Sequence, residues 1–217
     1  MDYAAARYKM VQNQIRANRV TNPLIIAAMS ELPRERFVPD ALRGIAYVDE
    51  DVPLGGGRYL IEPLVTALLL QAAEIDADDI ALDVGCGTGY CSAIIAGLAS
   101  TVVALESDPE LAARAARTFA ELDLNTPSVV VGPLGKGWPA QAPYDAIVFG
   151  GAVSAVPAAI TEQLAEGGRM VAVIAADKGI GCGTLFLRRG GTVSRRPLFD
   201  ASIPLLPDFA AEPTFRF

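Results

Sequence analysis

From about residue 64 onward, the sequence predicts an α/β fold with a doubly wound, mostly parallel sheet. Short apolar segments typical of buried strands alternate there with segments of helical length. A glycine-rich turn also joins one apolar strand directly to a helix, as happens at the edge where such sheets bind ligands. The predicted strands cover residues 79–84, 101–106, 128–132, 144–149 and 168–175, and the predicted helices cover residues 63–74, 88–99, 109–122 and 156–165.

The first 62 residues have a different pattern, which predicts an N-terminal helical extension. Residues 4–18 and 23–30 have helical character, whereas residues 35–62 form a long irregular segment typical of a binding loop. Near the other end, segments 183–188 and 192–198 flank a glycine turn and predict a hairpin. We therefore divide the chain into residues 1–62, the extension with a substrate-side loop, and residues 63–217, a core with a C-terminal hairpin and tail.

Composition limits the possible functions. The 217 residues are 52% hydrophobic and 20% charged, which suits a packed core, and the net charge of −7 disfavours binding to nucleic acid. The apolar segment 64–73 is too short to span a bilayer, so we expect no membrane association.

Three cysteines without paired spacing fit a reducing, cytoplasmic location. The chain has no histidine, which argues against a metal site. We expect a monomer or a weak homodimer.

The turn Gly85-Cys86-Gly87-Thr88-Gly89 follows the apolar strand that carries Asp83. Glycines let the backbone bend sharply and approach a ligand closely. A dinucleotide fold needs a further glycine at the position that Tyr90 occupies, so an NAD-dependent oxidoreductase is disfavoured. An acid two residues before the first glycine also suits a ligand with an ammonium group better than one with phosphates.

Glu106 ends the next predicted strand, at the place where an acid grips a ribose diol. Ser107 follows it directly and is expected to face the adenosine. Together with the glycine turn and Asp83, these residues predict S-adenosylmethionine as the cofactor. The residues expected to bind it are Asp83, Gly85, Cys86, Gly87, Glu106 and Ser107.

Several further segments resemble the protein-L-isoaspartate O-methyltransferase family from about Met10 to Pro207. The segments that carry the resemblance, besides the glycine turn, are Leu32-Pro33-Arg34-Glu35-Arg36-Phe37-Val38, Asp51-Val52-Pro53-Leu54-Gly55, Ala142-Pro143-Tyr144-Asp145-Ala146-Ile147 and Gln163-Leu164-Ala165-Glu166-Gly167-Gly168-Arg169. The resemblance implies a Rossmann-like class I methyltransferase core and methylation of isoaspartyl carboxylates in aged proteins. A carboxylate is already ionised at neutral pH, so this reaction needs positioning rather than a general base.

The chain departs from the family at two positions. The family's substrate-side serine corresponds to Ile61, and the family's acid that meets the adenine amine corresponds to Pro133. The resemblance also implies that Leu60, Pro133 and Leu134 bind the cofactor. Arg58 and Tyr59 are our candidates for catalytic residues, because the guanidinium fork of Arg58 matches a carboxylate and Tyr59 supplies a hydroxyl. Arg58 is alternatively an exposed loop residue or a partner of Glu62.

Three functions remain open on this evidence. The chain is an O-methyltransferase acting on an isoaspartyl protein or peptide, a diverged member acting on another acceptor such as a small carboxylate, or a non-catalytic cofactor-binding or interaction protein. Ile61 and Pro133 favour the latter two.

Overall fold

A computed structural model describes residues 1–176 and 178–209 of the chain. Its N-terminal part packs two helices and several short turns in front of a small hairpin. These elements are α1 (Tyr3–Met10), a π-helical turn (Val11–Ile15), α2 (Pro23–Glu31), 3-10 turns (Arg34–Arg36 and Asp40–Ile45), β1 (Val52–Gly55) and β2 (Arg58–Leu60). The predicted irregular segment 35–62 therefore contains regular structure, because β1 and β2 pair antiparallel.

The remaining elements alternate as predicted. They are α3 (Pro63–Ala73), β3 (Ile80–Val84), α4 (Tyr90–Ile95), β4 (Thr101–Glu106), α5 (Pro109–Glu121), β5 (Pro127–Val131), β6 (Tyr144–Val153), α6 (Ala158–Thr161), β7 (Leu164–Ile174), β8 (Gly181–Arg189), β9 (Thr192–Ala201) and a final 3-10 turn (Pro207–Phe209).

β3 to β9 form one seven-stranded sheet in the order β5-β4-β3-β6-β7-β8-β9. The first five strands in this order are parallel, and β8 and β9 add antiparallel to the edge beside β7. The predicted fold class, a doubly wound and mostly parallel sheet of the class I methyltransferase type, is confirmed. The division of the chain at residues 62 and 63 stays a prediction, and the last residues of its second part lie outside those that the structure describes.

Alternate residues along the central strands pack into two separate cores. Ala81 and Val102 belong to the core that includes the N-terminal helices, whereas Leu82 and Val103 belong to the core on the opposite face. Because successive side chains on a strand point to opposite faces, this division means that both faces of the sheet are covered. No helix in the described ranges is long and apolar enough to cross a membrane.

One predicted helix is wrong over most of its length. Residues 156–165 were expected to be helical, but α6 spans only Ala158–Thr161 and β7 already begins at Leu164. Pro157 starts the short helix, and the backbone N–H of Tyr144 then binds the carbonyl of Gln163, which directs the chain into the sheet. The helix predicted over residues 88–99 is also shorter in the structure, where α4 begins at Tyr90 and ends at Ile95.

Candidate active site

The candidate site lies where the strand order reverses. After β3 the chain builds β4 and β5 on one side, and then crosses to build β6 and β7 on the other. Open α/β sheets bind ligands in the crevice at this switch point. The turn after β3 packs against β6 here, because a Cβ atom on Gly150 would lie 2.2 Å from the carbonyl oxygen of Gly85. Gly150 therefore leaves room for the turn after β3.

The turn after β3 is held by its own backbone. Gly85, Gly87 and Gly89 all have positive φ angles, which glycine adopts without strain. The N–H groups of Gly85 and Cys86 both donate to the carbonyl of Leu105, at 2.8 and 3.0 Å. The backbone N–H of Cys86 is therefore already used within the fold, and the binding of the cofactor by Cys86 stays a prediction.

Tyr90 explains why this turn lacks the further glycine of a dinucleotide site. Its ring is fully buried, lies edge-on to Phe37, and is covered by the guanidinium of Arg34 at 4.7 Å from the ring centre. Gly89, one residue earlier, provides the close packing instead, since a Cβ there would lie 2.4 Å from the ring of Phe119 in α5. The position after the turn thus anchors the N-terminal extension to the core.

Glu106 is a fully enclosed acid at the site, with none of its surface exposed. Its Oε1 atom accepts hydrogen bonds from the backbone N–H groups of Ser107 and Asp108, at 2.8 and 3.1 Å. Its Oε2 atom accepts one from the N–H of Gly87, at 2.7 Å. The acid that the sequence places at the ribose position is therefore fixed firmly beside the glycine turn.

Arg58 completes the shell around Glu106. The two terminal nitrogens of its guanidinium donate to the two carboxylate oxygens, at 2.9 and 2.8 Å, and the arginine side chain is only 4% exposed. Arg58 is therefore neither an exposed loop residue nor the partner of Glu62, the two alternatives given above. Its fork does hold a carboxylate, but that carboxylate belongs to the chain itself. Its role toward a substrate stays a prediction.

The C-terminal segment covers the same turn. The backbone N–H of Leu206 donates to the carbonyl of Ala152, and the N–H of Ala152 donates to the carbonyl of Pro204, both at 2.9 Å. This pairing places the side chain of Leu206 over Gly85 and Gly151, within 3.0 and 2.9 Å of the positions that a Cβ atom would take. Only glycine leaves space for Leu206 at these two positions.

Asp208, in the C-terminal segment, contacts Ser107 and Leu134. Its Oδ1 atom accepts from the hydroxyl of Ser107 at 3.1 Å, and its Oδ2 atom accepts from the backbone N–H of Leu134 at 3.5 Å. Pro133 beside it is exposed. Asp208 lies 74 residues after Leu134 and has no local motif around it, so no sequence pattern predicted its place at the site.

Asp83 lies beneath the turn and is completely buried. Burial raises its pKa to about 7, although the hydroxyl of Ser92, which donates to Oδ2 at 2.5 Å, acts in the opposite direction. Its Oδ1 atom has no hydrogen-bond partner among the residues that the structure describes. Asp83 is thus a buried acid that takes up a proton near neutral pH.

Tyr59 is the most open of the candidate catalytic residues, with 38% of its surface exposed, whereas Leu60 and Ile61 are buried in the core. A cavity of about 10 Å³ lies between the hairpin and β6, lined by Gly57, Arg58, Tyr59, Ile61, Gly150, Gly151, Pro204, Leu205 and Leu206. This is roughly the smallest volume that holds one water molecule.

The residue types present fit S-adenosylmethionine, but the described conformation does not admit it. The glycine turn and the acid ending β4 are the groups expected for the cofactor. The carboxylate of Glu106, however, already accepts six hydrogen bonds from the chain, and Leu206 and Asp208 occupy the neighbouring space. Arg58 and the segment 204–208 therefore lie where the sequence places the cofactor, beside Glu106 and the turn.

Comparison with known proteins agrees with the fold. The family model for protein-L-isoaspartate(D-aspartate) O-methyltransferase matches residues 5–190. A protein-L-isoaspartate O-methyltransferase from Methanoculleus marisnigri is 37% identical over 206 residues, covering 94% of this chain and 92% of the relative. One from an Anaeromyxobacter species is 41% identical over 165 residues, covering 76% of this chain and 68% of the relative.

Two solved structures are similar in fold. One protein-L-isoaspartate O-methyltransferase has a TM-score of 0.80 at 24% identity, with 92% of this chain and 65% of that chain covered. A structure from Plasmodium falciparum in complex with S-adenosyl-L-homocysteine has a TM-score of 0.80 at 18% identity, with 96% of this chain and 99% of that chain covered. The extent of the family match and the identity to these relatives show that this chain belongs to the protein-L-isoaspartate(D-aspartate) O-methyltransferase family.

Proposed function

We propose that this chain is an S-adenosylmethionine-dependent O-methyltransferase that methylates a carboxylate, the isoaspartyl group of a damaged protein or peptide. The observation that carries the proposal is the position of Glu106, which ends β4 and binds the N–H of Gly87 within the glycine turn. An acid at this point, beside a turn that lets a ligand approach the backbone, is suited to hold a ribose diol.

The chemistry asks little of the protein beyond positioning. The cofactor, when bound, supplies a methyl group on a sulfonium, and an ionised carboxylate attacks it without losing a proton. The chain has no histidine to serve as a base, and this reaction does not require one. We propose that Tyr59, the exposed residue of β2, orients the acceptor from the open side of the cavity.

The alternative function is a non-catalytic cofactor-binding or interaction protein. Its support is that Ile61 is buried in the core where the family has its serine, and that Pro133 offers no side-chain acceptor for adenine. A small carboxylate remains the alternative acceptor. For location, the three cysteines are all free thiols, which supports our proposal of a cytoplasmic protein.

Transfer of a labelled methyl group to an isoaspartyl peptide tests the proposal. The control is the same peptide with a normal aspartyl residue, and base-labile release of the label identifies a methyl ester. We expect label only on the isoaspartyl peptide, and none with Glu106→Ala. If the wild type binds the cofactor but labels neither peptide, the isoaspartyl assignment is wrong. A further assay with small carboxylates then separates another acceptor from a non-catalytic protein.

A further inference from the structure

We propose that Arg58 is a latch, which closes the cofactor site by occupying the carboxylate of Glu106 and which the incoming cofactor must displace. The inference rests on the proposed function, because it concerns how the same site takes up S-adenosylmethionine. It adds a regulatory contact that involves two segments of the chain, the β1–β2 hairpin and the C-terminal segment 204–208.

The geometry of the pair makes Arg58 a competitor of a ribose. A ribose diol offers two hydroxyl donors to one carboxylate, and the guanidinium offers two N–H donors to the same two oxygens, at 2.9 and 2.8 Å. Its terminal nitrogen also lies 2.9 Å from where a Cβ on Gly85 would be. The guanidinium therefore extends from Glu106, the acid expected to bind the ribose, to the glycine turn. It lies across the site where the cofactor is expected to bind.

Glu106 does not depend on Arg58 alone. The backbone N–H groups of Gly87, Ser107 and Asp108 hold the carboxylate in place from the other side. When the arginine leaves, the acid keeps these three donors and its orientation, and two acceptor positions become free. The latch can thus open without the loss of the binding group.

The C-terminal segment closes two neighbouring parts of the site. Leu206 covers Gly85 and Gly151, and Asp208 accepts from the N–H of Leu134, where the adenine is expected. The hairpin touches this segment directly, because a Cβ on Gly57 would lie 3.4 Å from the ring of Pro207. Displacement of Arg58 therefore also disturbs the packing of the segment.

The hairpin that carries Arg58 is small and rich in glycine. Its strands are short, and its turn consists of Gly55, Gly56 and Gly57, all with positive φ angles that only glycine adopts freely. A closed form that binds no cofactor lowers the apparent affinity by the fraction of molecules that are open. Removal of the latch should therefore tighten cofactor binding.

Titration with S-adenosylhomocysteine tests the latch without relying on turnover. The single tryptophan, Trp138, packs against Gly132 beside the expected adenine position, so its fluorescence reports binding. We expect Arg58→Met to bind at least about tenfold more tightly than the wild type, and Asp208→Ala to show a smaller gain. Arg36→Met removes an exposed ion pair with Glu121 instead, and should bind as the wild type does.

Hydrogen exchange on the wild type provides a second test that does not require a variant to fold. Saturating S-adenosylhomocysteine should accelerate exchange of the Leu206 and Ala152 amides, which pair the C-terminal segment with β6. Most ligands slow exchange around their site, so acceleration here is specific to opening of this segment.

Three results decide the matter. Equal affinities of the wild type and Arg58→Met, with no acceleration at Leu206, overturn the latch and leave the proposed function intact. Tighter binding by Arg58→Met together with acceleration, but without methyl transfer, supports the latch and overturns the proposed function. If S-adenosylhomocysteine binds neither protein and leaves exchange unchanged, both proposals are wrong.

Discussion

The hydroxyl of Ser92 donates to one oxygen of the buried Asp83 carboxyl, at 2.5 Å, and the other oxygen has no partner among the described residues. One hydrogen bond does not compensate for complete burial, which is why the pKa of Asp83 rises to about 7. This pair joins β3 to α4 directly beneath the glycine turn, so its protonation affects the base of the site.

The raised pKa makes stability depend on pH in a defined direction. The folded chain holds the Asp83 proton up to about pH 7, whereas the unfolded chain releases it near the usual 3.8. The free energy of unfolding should therefore fall as pH rises between these values and level off above 7. A shift of about 3 units sets the upper limit of this effect on the order of 4 kcal/mol.

Asp83→Asn should remove this dependence, because an amide keeps the acceptor for Ser92 and cannot ionise. Urea denaturation at several pH values between about 4 and 8 gives the comparison. We expect the variant to gain on the wild type as pH rises to about 7. Asp78→Asn, a change on an exposed side chain, is the control. A difference between Asp83→Asn and the wild type that stays constant with pH would contradict the prediction.

Two arginines of one segment should differ sharply in their effect on stability. Arg34 is fully buried, donates to the carbonyls of Ala46 and Ile61 at 2.7 Å each, and covers the ring of Tyr90. Arg34→Met leaves both carbonyls unpaired, and we expect it to lower the free energy of unfolding by about 3 kcal/mol.

Arg36 provides the matched comparison. Its ion pair with Glu121 is exposed, with 40% and 55% of the two side chains accessible, so Arg36→Met should cost only about 0.5 kcal/mol. Thermal or urea unfolding of both variants checks the difference. Similar losses in the two proteins would show that Arg34 does not anchor the loop as its contacts indicate.

Local patterns were enough to predict the framework of the fold and part of the site. The alternation of apolar and helical segments predicted the sheet, and the spacing from Gly85 to Glu106 placed an acid beside the turn, because consecutive strands of this class end at the same edge. The prediction of a helix over residues 156–165 was wrong, because the sequence pattern there does not reveal that β7 begins at Leu164.

The contacts that close the site were beyond sequence reasoning for a physical reason. Arg58 meets Glu106 across 48 residues, and Leu134 meets Asp208 across 74. Such pairs depend on how the hairpin and the C-terminal segment fold over the sheet, and no local periodicity records that. Nearness in the sequence even suggested Glu62, four residues after Arg58, as its partner, since opposite charges close in the chain are the simplest pairing that a sequence offers.

Gly89 should tolerate no side chain, for reasons of packing as well as backbone conformation. Its φ angle is +93°, and an added Cβ would lie 2.4 Å from the Phe119 ring. We expect Gly89→Ala to cost about 3 kcal/mol or more. Gly179→Ala is the control, because Gly179 has a φ of +97° but nothing within 4 Å of the added atom. Equal losses in unfolding experiments would mean that the contact with Phe119 is unimportant.

Pro133→Asp should restore an acceptor for adenine. Pro133 is exposed, precedes the 3-10 turn at Leu134–Lys136, and has φ −62° and ψ 121°, which an aspartate adopts without strain at such a helix start. The new carboxylate would also repel Asp208 from the N–H of Leu134, which frees that donor. We expect S-adenosylhomocysteine to bind about tenfold more tightly, equal to about 1.4 kcal/mol. Pro133→Ala, which removes the ring without adding an acid, should show little gain.

Combining Pro133→Asp with Asp208→Ala should give less than the sum of the two separate gains, because both changes release the same backbone donor. Calorimetric titration of the wild type, Pro133→Asp, Asp208→Ala and the double variant measures this coupling. Fully additive gains would show that Asp208 and position 133 act independently.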